Sequence, residues 1–99
     1  MKKLDLTVVI CDLKNKALTE AGAPLTLGAV LGNSLLSQPQ HANPSADEKY
    51  KRFKLASKIA TTSELEASAD DIVLLKRVVG ELYTALIVGR VFDLLEGTS

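Results

Sequence analysis

Thr26, Ser45 and Ser68 each stand immediately ahead of a run of apolar residues at helical spacing. A hydroxyl at such a point can accept a hydrogen bond from a backbone N–H that the first helical turn leaves unpaired. Leu25 and Val30 bracket Thr26 as a hydrophobic staple, and Ser45 with Glu48 and Ser68 with Asp71 have capping-box spacing. These signals predict helices over about residues 27–36, 46–60 and 69–79, with Gly80 as a stop. A fourth helix is expected over about 84–96, with Gly97 as its C-terminal cap. One continuous helix over 69–96 would have to tolerate Gly80 and Gly89 at about 1 kcal/mol each, so the broken form is preferred.

The segment before Thr26 has a different period. Leu4, Leu6, Val8 and Ile10 alternate along it, which predicts a strand with one buried face. Lys14-Asn15-Lys16 reads as a turn, residues 17–19 as a short returning strand, and residues 20–24 as a loop around Gly22 and Pro24. An isolated hairpin is barely stable, so a helix should cover its apolar face. The resulting expectation is a single α+β domain over 1–99, mostly helical. A β-hairpin region occupies 1–25 and a helical region 26–97, with a loop at 37–45.

Aromatic residues make up 4% of the chain and Trp is absent, so the core must be built from Leu, Val, Ile and Ala. Expected core positions are Leu27, Val30, Leu31, Ser34 and Leu35 on the first helix. The second should contribute Tyr50, Phe53, Ala56 and Ala60, broadened by Leu55 and Ile59. The third should contribute Ile72, Leu75 and Val79. A core of this kind in 99 residues is modest, which makes self-association a reasonable expectation.

Twelve basic and twelve acidic side chains cancel, so no overall field draws the chain to nucleic acid or an anionic membrane. Cys11 has no partner for an internal disulfide, which fits a reducing compartment. The apolar run after Met1-Lys2-Lys3 is too short for a secretory signal. The C-terminal apolar run carries Arg90 and Asp93 and is too short to span a bilayer. A cytoplasmic location without processing is expected.

Chemistry-bearing constellations are sparse. One His and one Cys, thirty residues apart, do not suggest a metal site, and Asp70-Asp71 reads as a favourable first-turn pair on a helix dipole. His41 is expected to be exposed in its Pro-flanked loop, and Cys11 to be a half-buried structural thiol. No nucleophile elbow or phosphate loop is present, and Gly22, Gly28 and Gly32 do not fit dinucleotide spacing. No catalytic residue and no cofactor are expected. Gly28 and Gly32, four apart, point to a close backbone approach, read here as an internal contact.

Two helices carry surface signals. On the last, Ala85, Leu86, Ile87, Val88, Val91, Phe92, Leu94 and Leu95 spread apolar groups over most of the circumference, whereas packing on one small core needs only a stripe. Ile87, Val88, Val91, Phe92 and Leu95 are therefore the candidate subunit interface, and a homo-oligomer, such as a dimer, is expected. On the second helix, Lys49, Lys51, Arg52, Lys54 and Lys58 interleave with Tyr50 and Phe53. Cations neutralise phosphates and aromatic rings stack on bases, so these residues are the candidate contact for nucleic acid. Because helical spacing groups the two rings where a core stripe belongs, a solvated amphipathic face is preferred and nucleic-acid binding is the alternative.

Three segments carry a resemblance: LDLTVVICDL, PLTLGAVLGNSLL and SADDIVLLKRVVGELYTALIVGRVFDLLEG. In layout and local wording the chain resembles small uncharacterised proteins of tailed bacteriophages and prophages. The resemblance implies a phage accessory role in the host-cell cytoplasm. With the wide apolar face of the last helix, the expected function is a non-enzymatic one, through helix-mediated self-association or docking to another phage protein, for instance in virion morphogenesis. It transfers no catalytic residue.

Overall fold

In the computed structural model, which describes residues 2–20, 22–37 and 45–96, the alternation at Leu4 yields a strand of four residues. This strand, β1 (Lys2–Asp5), ends where the Asp5 carboxylate accepts hydrogen bonds from the Thr7 backbone N–H at 2.9 Å and its hydroxyl at 2.6 Å. Those bonds turn the chain and hold the Asp5 carboxyl below the usual carboxylate range.

The partner of β1 is not the returning segment expected at 17–19. β1 pairs antiparallel with β4 (Glu64–Ala67), setting Leu4 opposite Leu65, with both side chains buried. Lys3 and Glu64 form a surface ion pair beside them at 3.7 Å. The chain does double back where Lys14-Asn15-Lys16 predicts. The Asp12 carboxylate accepts from the N–H groups of Lys14 and Lys16, and Asn15 adopts the left-handed conformation that Asn tolerates. Cys11 then bridges Ala17. The loop expected at 20–24 is a tight ladder between β2 (Thr19–Glu20) and β3 (Ala23–Pro24), turned by Gly22 at positive φ. Single backbone bonds stitch the layer together: Ile10 N–H to Leu25 O at 2.7 Å, Leu18 N–H to Ile10 O at 2.9 Å, and Leu27 N–H to Val8 O at 2.8 Å.

Four helices complete the α+β fold: α1 (Leu27–Leu36), α2 (Ala46–Thr61), α3 (Ala69–Leu82) and α4 (Ala85–Glu96). Each of the three hydroxyl caps forms. Thr26 accepts from Ala29, Ser45 from Glu48 and Ser68 from Asp71, and Asp71 returns the bond by accepting from the Ser68 N–H. The buried residues of α1 are the five expected, and Ser34 satisfies its hydroxyl by donating to Val30 O at 2.8 Å. On α3, Leu74, Leu75, Val78 and Val79 are buried, whereas Ile72 is only half-buried. Gly80 does not stop α3. It lies on the exposed face, where the helix tolerates it at about 1 kcal/mol, and the helix ends instead at Tyr83, whose backbone is extended. The expected break between α3 and α4 is present. The expected cap at Gly97 and most of the 37–45 loop, including His41, lie outside the described residues.

The core is assembled from Leu, Val, Ile and Ala. Gly28 makes a close approach possible: an added Cβ there would meet Leu6 Cβ and Leu6 O at 3.2 Å and Ile59 Cγ2 at 3.8 Å. Gly32 faces the same Ile59 methyl at 4.0 Å. The glycine pair therefore serves the packing of α2 and the Leu6 turn on α1.

Candidate functional site

The core stripe of α2 differs from the one expected. Its buried side chains are Arg52, Leu55, Ala56 and Ile59, which follow i, i+3, i+4, i+7 spacing. Tyr50 and Phe53 point away from the core, 61% and 58% exposed, and Ala60 is exposed as well. The rings were expected inside. Leu55 and Ile59 instead set the direction of the buried face, and the rings fall nearly opposite them.

Arg52, expected among the nucleic-acid contacts, is 4% exposed and unavailable to a ligand. Its guanidinium lies 3.3 Å from the Glu48 carboxylate and 3.5 Å from Ser37 O, and its Nε has no partner among the described residues. Glu48 also accepts from Arg77 of α3, so one carboxylate is shared by two guanidiniums and ties α2 to α3. The Arg77 hydrogen bond, aided by the charges of Arg77, Arg52 and Lys51, holds the Glu48 carboxyl below its ordinary range against the opposing effect of desolvation.

Lys49, Lys51, Lys54 and Lys58 remain at the surface and form no ion pair among the described residues. Lys51, Lys54 and Lys58 line one groove of about 370 Å³ with Asp47, Tyr50, Leu55 and Asp71. The Lys54 ammonium sits over the Tyr50 ring, 5.2 Å from its centroid. Helical spacing sets Lys49 to the other side of the rings. The outer face of α2 therefore carries two exposed aromatic rings with lysines on both flanks.

The candidate interface on α4 is largely consumed by the chain itself. Val91 and Leu95 are fully buried, and Ile87 and Val88 pack partly buried against the core. Phe92 is half-buried, with the Lys76 ammonium 5.4 Å from its ring centroid, and Lys76 also pairs with Glu96. That pairing holds the Glu96 carboxyl below its ordinary range. Arg90 donates to Asp12 O at 2.7 Å, fastening α4 to the turn after Cys11. Val91 and Leu95 are thus core residues of this chain, while the 8–12 segment meets α4 at Arg90, Asp93 and Leu94.

Cys11 is half-buried, as expected, in a cleft of about 190 Å³ shared with Arg90 and Asp93. Its thiol lies 3.7 Å from Val9 O. No cluster of three or more His, Cys, Asp or Glu side chains suited to a metal occurs among the described residues. None of their helices is long and apolar enough to cross a membrane. Comparison with known families, curated proteins and solved structures finds no match to this chain.

Proposed function

We propose that this chain is a non-enzymatic binding module that holds nucleic acid on the outer face of α2. The observation that carries the reading is the pairing of Tyr50 and Phe53, both exposed, with four lysines that form no ion pair within 4 Å among the described residues, three of them in a groove where they outnumber the carboxylates of Asp47 and Asp71. Exposing two large rings leaves apolar area in water that burial would otherwise remove, and a ligand presenting flat π-faces would cover it. Phosphates complement the lysines. The neutral total charge is compatible with this, because at physiological salt a bound strand feels charges within a Debye length of about 8 Å rather than the molecular sum.

The resemblance to phage and prophage proteins would place the activity in a phage accessory role in the host cytoplasm. Binding to short DNA or RNA at increasing salt tests the proposal. With up to four lysine–phosphate contacts, the slope of log K against log salt should be about −3. No binding at low salt would remove the reading.

A second reading, docking or self-association through α4, rests on Leu86 and Phe92. Both are half-buried and neither belongs to the set packed against the core. Sedimentation equilibrium separates it: a dimer lost in Phe92→Ala would support it, and a monomer at high micromolar concentration would end it.

A further inference from the structure

We infer that the ligand class is single-stranded nucleic acid, with unpaired bases stacked on Tyr50 and Phe53 and the backbone phosphates following Lys51, Lys54 and Lys58. The inference rests on the reading of α2 as a nucleic-acid face and deepens it. Positions 50 and 53 are three apart, so the rings stand on the same side of the helix with Cα atoms separated by about 4.5 Å along its axis. Their exposure, 61% and 58%, leaves ring surface accessible on both, with the Lys54 ammonium over one face of Tyr50.

A helix that reads a duplex in the major groove presents Arg, Lys, Asn or Gln to base edges at the centre of its contact face. On α2 that centre holds the rings. Ala46–Thr61 contains no Asn or Gln, and its one Arg is buried beneath the helix. Base faces in a duplex are hidden by their neighbours, so exposed rings gain from unpaired bases. An anionic bilayer also attracts lysines and aromatics, but an interfacial helix buries a broad apolar face. The apolar stripe of α2 already faces the core, and Leu55 and Ile59 are not free to insert.

The test is fluorescence anisotropy with the full chain and three probes: a labelled oligothymidine of about 20 nucleotides, a labelled duplex of equal length, and vesicles of anionic phospholipid. The single strand should bind at least about tenfold more tightly than the duplex. Tyr50→Ala/Phe53→Ala should weaken single-strand binding by about thirtyfold or more while leaving the salt slope unchanged. Lys54→Ala should instead reduce the slope by about 0.7. Both aromatic positions are exposed, and circular dichroism of the double variant should match the parent. Equal affinity for single strand and duplex, or an unaffected double variant, overturns the stacking inference and leaves nucleic-acid binding standing. Binding to neither nucleic acid, or to vesicles alone, overturns both.

Discussion

Gly28 and Gly80 both lie inside helices, yet a methyl group added to each should act with opposite sign. At Gly28 the new Cβ would press on Leu6 Cβ and Leu6 O at 3.2 Å, so Gly28→Ala should cost about 1–2 kcal/mol. At Gly80 nothing lies within 4 Å, so Gly80→Ala should gain up to about 1 kcal/mol from helix propensity. Urea denaturation would show the two midpoints moving in opposite directions at equal m-value. Glu48 makes a separate prediction. Its pKa is lowered on folding, so it contributes stability above the ordinary carboxylate range, and that contribution is lost as pH falls through the folded value. Glu48→Gln should cost about 1–2 kcal/mol at pH 7, chiefly by stranding the buried Arg52. It should also flatten the acid limb of the stability profile, read from thermal melts between about pH 3 and 7.

At the scale of elements, the helices were legible because their start signals are local. Ser68 and Asp71 satisfy each other's backbone within four residues, and nothing distant is needed to read them. Ser68→Ala should therefore cost about 1 kcal/mol, measured by thermal unfolding. β4 was not legible. Glu64-Leu65-Glu66-Ala67 does alternate, but four residues rich in good helix formers carry little strand signal, and the partner lies sixty residues away at β1. The lysines and rings of α2 are evident in its composition, but the direction they face is not. The buried i, i+3, i+4, i+7 set on α2 begins with Arg52, and a charged residue is not normally assigned to a core. Its burial depends on Glu48 and Ser37, and Glu48 is shared with Arg77 of α3, a tertiary contact no local pattern announces. Once Arg52 is placed inside, Tyr50 and Phe53 must turn outward.

At the scale of the whole molecule, the two surface signals exchange places. α4 offers apolar groups on most sides, but Arg90 ties it to Asp12 and its neighbours enclose Val91 and Leu95. A count of apolar residues on one helix does not reveal how many sides the fold will cover. α2 presents one face to the core and leaves its rings and lysines outside. The direct test of this exchange is a ¹⁵N–¹H NMR titration of the full chain with the oligothymidine. Shift changes should concentrate at the outer positions of α2, around Tyr50, Phe53, Lys54 and Lys58, with Leu86–Phe92 of α4 silent. Absence of change on α2, or changes centred on α4, would contradict it.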